Sequence, residues 1–219
     1  MTTNRDVLVT GGAGFVGSHL TEKLVNKSFR VHLLVKSSTN LWRIRQLRDK
    51  IQLYCVDLAD NTELSAIIKK IKPDYIFHLA TSGAYPSQQD PYNMIKTNIV
   101  GTMNLLSALV HISYKNLIVA GTSSEYGKKE KPMRETDRLE PNNYYGATKA
   151  AESLLVSAWS KKNNQPAVIL RFFAVYGPKE EEGRLVRNII EAALRGEAIK
   201  LATGKEARDF IYVNDITDA

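Results

Sequence analysis

Residues 6–25 read DVLVTGGAGFVGSHLTEKLV. A short apolar run, Asp6–Thr10, passes directly into Gly11, Gly12, Ala13, Gly14, Phe15, Val16 and Gly17, and then into the helical pattern SHLTEKLV. The spacing is Gly11-x-x-Gly14-x-x-Gly17. A chain that leaves a strand here must turn sharply, let a pyrophosphate touch its backbone N–H groups, and pack the next helix against the sheet. Glycine permits each step. The helix N-terminus then faces the anion with its partial positive charge. Gly11, Gly14, Phe15, Val16 and Gly17 are therefore candidate cofactor-binding residues. A glycine-rich turn with no ligand would share the pattern, but this one sits at the first strand-to-helix junction of an alternating chain, which points to a dinucleotide.

The alternation continues outward. Phe29–Val35, Ile51–Val56, Asp74–Leu79, Asn116–Ala120 and Ala167–Phe172 read as further buried strands. Helical patterns lie between them near 15–27, 40–49, 61–71, 92–111 and 143–162. Strands alternating with helices predict an α/β fold: a doubly wound parallel sheet, covered on both faces. A further helical stretch is expected near 184–195, followed by a last apolar run, Phe210–Val213. The predicted division is a dinucleotide-binding Rossmann domain over 1–172, with 173–219 as the start of a substrate-binding portion that looks truncated.

The second strand ends Leu34-Val35-Lys36-Ser37-Ser38. An acidic residue at this place would grip the adenosine ribose hydroxyls of NAD. Lys36 would instead suit a 2′-phosphate, so NADP(H) is favoured over NAD(H), with NAD(H) left open.

Composition narrows the class without choosing a partner. Of 219 residues 43% are apolar and 24% charged, which excludes a disordered or collagen-like chain. The formal charge of +7 suits anionic partners of many kinds. No base-stacking or groove-reading motif accompanies it, so nucleic acid is not an expected partner. The single cysteine, Cys55, cannot form an intrachain disulfide, and no apolar run is long enough to span a membrane. A soluble, cytoplasmic protein is expected. The four histidines and Cys55 lack metal-ligand spacing, so no metal site is predicted. His78 reads as a core histidine, and Arg43, Arg45, Arg48 and Lys50 as a solvated helix face, with Arg43 near enough to assist Lys36.

TGGAGFVGSH resembles the extended short-chain dehydrogenase/reductase family, whose members are NAD(P)-dependent epimerases, dehydratases and reductases of nucleotide sugars. The resemblance runs from about Asp6 to Ala219. Val56-Asp57-Leu58 is similar to the stretch whose Asp meets the adenine amine. Leu79 and Ala80 close a segment resembling the family's fourth strand, where backbone lines the cofactor. Asn98-Ile99-Val100-Gly101-Thr102 is similar to a signature on the following helix, which in the family helps to build a homodimer. Gly121-Thr122-Ser123-Ser124-Glu125-Tyr126-Gly127 and Tyr145-Gly146-Ala147-Thr148-Lys149 resemble the catalytic segments. Arg208-Asp209-Phe210 is similar to a motif whose Arg reaches the substrate diphosphate.

Tyr145 and Lys149 are four apart on a predicted helix and share a face. A nearby ammonium favours the phenolate, so Tyr145 is expected to exchange a proton with a substrate hydroxyl while hydride moves to or from the nicotinamide. The resemblance implies that Lys149 also bonds the nicotinamide ribose. Thr122 would bond the same substrate oxygen, with Ser123 one register step away. Catalysis is thus assigned to Thr122, Tyr145 and Lys149, and substrate contact to Ser123, Ser124 and Arg208. The expected reaction is hydride transfer at C4 of a nucleotide-diphosphate sugar, 4-keto reduction slightly ahead of C4 epimerisation. A 4,6-dehydratase is the alternative, although the family's acids after the catalytic Thr are here Ser123 and Ser124, with Glu125 one step late. Ala174 stands where the family often has a substrate-binding Asn. The family also continues beyond the Arg-Asp-Phe motif, so the chain is expected to be part of a longer protein, or else a cofactor-binding fragment without catalysis.

Overall fold

The computed structural model describes residues 5–199 and 207–219. Six strands form one parallel sheet: β1 (Asp6–Thr10), β2 (Arg30–Val35), β3 (Ile51–Cys55), β4 (Tyr75–His78), β5 (Asn116–Thr122) and β6 (Ala167–Phe172). Their order is β3-β2-β1-β4-β5-β6. The chain first builds outward to β3, then crosses back beside β1 to build the other way. The strand order therefore reverses between β1 and β4, and a crevice opens beyond the carboxyl ends of these two strands.

The strands are apolar on both faces because helices cover both. Val7 and Val9 point into a core with Leu20 and Leu24 of α1 (Phe15–Asn26), Val31, Leu33, Ile44 and Leu47. Leu8, between them, points into the opposite core with Leu64 and Ile68 of α2 (Asn61–Ile71), Ile76, Leu105, Leu109, Leu117 and Val156. This is the period-two alternation of a strand, with both phases buried.

The helix predicted near 40–49 is a 3₁₀ helix, Trp42–Lys50. Leu41, Ile44 and Leu47 recur every third residue, the spacing that lines up on one side of a 3₁₀ helix. The stretch predicted near 92–111 is a continuous rod of three parts: α3 (Pro91–Met94), a π-helical segment (Ile95–Gly101) and α4 (Thr102–Leu109). Asp90 caps its start by accepting from the Tyr92 N–H. Met94, Leu105, Leu106 and Leu109 are buried, while Tyr92, Ile95, Val100 and Met103 face outward.

The helix α5 (Tyr144–Asn163) begins with the Asn143 side chain accepting from the Gly146 N–H. Beyond β6, a two-stranded parallel sheet pairs β7 (Ala174–Tyr176) with β8 (Phe210–Tyr212). That pairing brings Arg208 to the rim of the crevice, beside Ala174. Between these strands α6 (Leu185–Arg195) buries no residue, and α7 (Val213–Asp218) follows β8.

Candidate active site

The crevice at the switch point is a cleft of about 1170 Å³. Its floor is the turn from β1 to α1. A Cβ on Gly11 would lie 2.5 Å from the Leu79 carbonyl and the Ala80 nitrogen, and one on Gly17 would lie 2.1 Å from the Gly11 carbonyl oxygen. No L side chain fits either place, so β1, β4 and α1 meet backbone to backbone. Gly11 also adopts φ +70°, the left-handed region that favours glycine. Gly14 caps α1 without a side-chain acceptor, and no acid lies in the first turn. The N-terminal N–H groups thus keep their pull on an anion. Gly11, Gly14, Phe15, Val16, Gly17, Lys36, Leu58, Leu79 and Ala80 all line the cleft, a cradle that fits a dinucleotide.

Asp57, assigned to the same set, does not line the cleft. It accepts from the Ala59 N–H at 3.0 Å and lies 3.6 Å from the Lys36 ammonium and 3.3 Å from that of Lys96. Burial works against its ionisation, but the Ala59 N–H and the two lysines outweigh it and hold the carboxyl below its usual range. Lys36 thus lines the cleft with an acid behind it.

Arg43 departs from the expected solvated face. Arg43 is buried, although Arg45, Arg48 and Lys50 remain exposed. Arg43 donates to the Lys179 carbonyl (2.8 Å) and pairs with Glu181 (2.6 Å). His19 bonds the Pro178 carbonyl (2.8 Å), and Arg184 donates to the Ala84 carbonyl (2.7 Å). Residues 178–184 therefore form a strap along the cleft, which the sequence reading did not anticipate.

Across the cleft stand Thr122, Tyr145 and Lys149. The Tyr145 hydroxyl faces the side-chain hydroxyls of Thr122 and Thr81. Thr122 lines the cleft beside Tyr145, whereas Ser123 does not. Ser123 and Ser124 form a 3₁₀ turn after β5 and do not line the cleft. Thr81 was missed; the available signal was a hydroxyl residue just past the fourth strand. The buried Asn98, inside the π-helical segment, fixes Thr81 in place. Its amide oxygen accepts from the Ser82 N–H (2.9 Å) and Thr81 Oγ1 (3.3 Å), and its nitrogen donates to the Ser82 carbonyl (2.9 Å) and Thr148 Oγ1 (3.0 Å).

The expectation that Lys149 lowers the Tyr145 pKa is not met. Burial pushes the phenol up, the charges of Glu152 and Glu125 add to this, and the neighbouring hydroxyls of Thr122 and Thr81 only partly oppose it. Lys149 instead directs its ammonium at Glu152, 2.6 Å away.

Glu125, the late acid, is engaged within the fold. It is fully buried and accepts from the Thr122 N–H (2.8 Å), Ser153 Oγ (2.7 Å) and Arg171 Nε (2.7 Å). Its carboxylate is a staple between β5, α5 and β6, with no edge free for a substrate.

His78 is a core histidine, as expected, and its bonds define its tautomer. Thr102 Oγ1 already donates to the Asn98 carbonyl, so it accepts from His78 Nε2–H at 2.9 Å. Thr10 Oγ1 accepts from the Ala80 N–H and donates its own proton to His78 Nδ1 at 2.6 Å. Burial, helped by the Lys149 charge, brings the imidazole pKa down to about 3.

A cleft so built is that of a dinucleotide-dependent protein. Residues 7–219 match the NAD dependent epimerase/dehydratase family, and the chain belongs to it. Its relatives include Protein CapI of Staphylococcus aureus, 33% identical, aligned over 97% of this chain and 67% of that protein. Among solved structures it is similar to the UDP-glucose 4-epimerase of Thermotoga maritima with UDP-glucose (TM-score 0.88, 29% identity), covering 97% of this chain and 71% of that one. It is also similar to the UDP-glucuronic acid 4-epimerase of Bacillus cereus with UDP-glucuronic acid and NAD (TM-score 0.83, 30% identity), covering 97% and 70%. The chain spans about two thirds of the length of these proteins.

Two predictions follow from the buried charges. Glu125→Ala leaves Arg171 without its partner and Thr122 without its anchor, and should cost about 3–5 kcal/mol of stability in urea unfolding. The neutral His78 stabilises the fold fully above pH 6.5, and this contribution is lost as pH falls towards about 3, because the unfolded chain takes up the proton first. His78→Gln should therefore trail the wild type at neutral pH, and the gap should narrow through that window by at most about 1.4 kcal/mol per pH unit.

Proposed function

We propose that the protein carries out hydride-transfer chemistry at C4 of a nucleotide-diphosphate sugar. The observation that supports this best is the Tyr145 hydroxyl facing Thr122 and Thr81 in the cleft that the glycine turn also lines. A bound nicotinamide would supply the hydride acceptor. Thr122 and Thr81 orient the phenol oxygen, and Thr122 offers its hydroxyl to the substrate oxygen. Tyr145 exchanges the proton of that oxygen, and Lys149 is the nearby cation, its charge held back from the phenol by its ion pair with Glu152. Arg208 and Arg184, both on the cleft wall, provide cations for the diphosphate, and Ala174 leaves their task unshared. The buried, fully bonded Glu125 and the serines at 123 and 124 leave no acid for water elimination, which speaks against a 4,6-dehydratase.

Epimerisation and 4-keto reduction use the same proton-transfer groups. The named relatives that are 4-epimerases favour the first. Lys36 favours the second, because a cation beside the ribose suits NADPH, the usual net reductant. We take 4-epimerisation as the leading reading on kinship, and NADP(H) as the cofactor on the strength of Lys36. Within this reading 1–172 holds the cofactor, 173–219 begins the sugar-binding portion, and the outward side chains of Tyr92, Ile95, Val100 and Met103 join two copies as a homodimer. Among the described residues no helix is long and apolar enough to cross a membrane.

A panel of UDP-, dTDP- and GDP-sugars separates the readings. An epimerase interconverts C4 isomers with no net loss of reduced cofactor, whereas a reductase consumes it one for one. Tyr145→Phe should lower turnover by about 10²–10⁴ while leaving cofactor affinity nearly unchanged. Substantial residual turnover would remove Tyr145 from the mechanism. NADPH should bind about tenfold more tightly than NADH, and Lys36→Asp should invert that order; a wild-type preference for NADH in calorimetry would discard the cofactor reading.

A further inference from the structure

Lys149 has an unusual companion. Lys149 lines the cleft, yet its side chain is only 3% exposed and its ion-pair partner, Glu152, is 1% exposed. Glu152 does not line the cleft. It lies one helical turn further along α5, beneath the lysine, and its Oε2 accepts from Lys149 Nζ at 2.6 Å. The other carboxylate oxygen, Oε1, is buried with no hydrogen-bond partner. A buried acid with one unserved oxygen is costly, and a purely structural role would favour a fully bonded group.

The surroundings show what the charge can act on. From α5, Lys149 and Tyr145 face Glu152; from the turn after β5 comes Glu125, itself committed to Arg171 and Ser153; from β4 comes His78, with Nε2 3.9 Å from Glu152 Oε1. His78 is neutral and its Nε2–H is given to Thr102, so it neither balances nor bonds the acid. Lys149 is the one cation among these neighbours. A carboxylate on its far side pulls the ammonium down and cancels much of the field it would otherwise exert on the phenol.

We propose that Glu152 is a positioning residue that holds the Lys149 ammonium beneath the cleft and screens Tyr145 from its charge. This rests on the reading that Tyr145 is the proton-transfer group. Burial pushes the Glu152 carboxyl up to about 7 against the opposing pull of Lys149, so the counter-charge comes and goes near neutral pH. When Glu152 takes up a proton, Lys149 is released to act on Tyr145 alone.

The test needs neither cofactor nor sugar. The ionisation of Tyr145 can be followed by phenolate absorbance as the difference between the protein and its Tyr145→Phe variant, from about pH 6 to 11. Glu152→Gln removes the screening charge at nearly constant shape, and the Tyr145 step should move down by about one pH unit, or enter the range if it lay above it. Lys149→Met/Glu152→Gln, which removes both buried charges, should return the step to its original place. Glu152→Asp draws the carboxylate back by one methylene, so it should move the step the same way by less, and it substitutes if Glu152→Gln does not fold. A structural role would lower the melting temperature without moving the step. An unmoved step in a folded variant, or no step in any of them, overturns the proposal. Failure of the sugar chemistry would leave this titration as expected, and an unmoved step would leave the hydride-transfer reading standing.

Discussion

The site hangs on one buried carboxylate. Glu125 collects the Thr122 N–H at the end of β5, the Ser153 hydroxyl from the middle of α5 and the Arg171 guanidinium on β6. Arg171 is itself held from the other side, donating to the Tyr126 hydroxyl at 3.0 Å. These bonds set where α5 lies against the sheet, and with it the height of Tyr145 and Lys149 over the cleft. A Cβ on Gly121 would come within 2.7 Å of Glu125 Oε1, so the strand must carry glycine there for the carboxylate to dock. Removing any one partner would leave a charge or a donor buried without an answer, and this mutual dependence makes the arrangement rigid.

A second set of bonds fixes the opposite wall. Thr10, His78 and Thr102 form a chain of neutral donors and acceptors that joins the end of β1 to β4 and to the helix behind it. Asn98 extends the clamp to residues 81 and 82 and to α5 through Thr148. It does so from a π-helical segment, where the wider turn departs from regular helix geometry beside the site. The two walls therefore meet at Tyr145 from separate directions. Glu125 orders Thr122, Asn98 orders Thr81, and the phenol lies between them.

What was legible in the sequence was what depends on backbone and local period. Asp6–Thr10 and Ala167–Phe172 coincide with β1 and β6, and 61–71 with α2, because alternation and caps are local properties. The glycines at 11, 14 and 17 were legible because their task excludes side chains. The helical Tyr145–Lys149 spacing was legible for the same local reason. The role of Glu125 was not, since its partners lie 28 and 46 residues away and only the fold brings them together. Arg43 was misplaced because a basic run looks solvated, and the partners that bury it, Lys179 and Glu181, lie 136 and 138 residues away. The adenine role of Asp57 came from resemblance, and the ion pairs that Lys36 and Lys96 make with its carboxylate were not legible because they depend on the fold.

Two buried glutamates within one site invite comparison, and their difference is informative. Glu125 has every near donor it could use: an amide, a hydroxyl and a guanidinium, each at 2.7–2.8 Å. Glu152, equally buried, has one ammonium and an unserved oxygen. Burial pushes the Glu152 carboxyl up to about 7. A carboxylate that is fully bonded stabilises a fold and has no reason to change state. One that is half bonded sits close to a change of protonation, and here the charge it would release belongs to the lysine facing the cleft. The incomplete bonding of Glu152 is what would make Lys149 responsive, just as the complete bonding of Glu125 keeps Thr122 still.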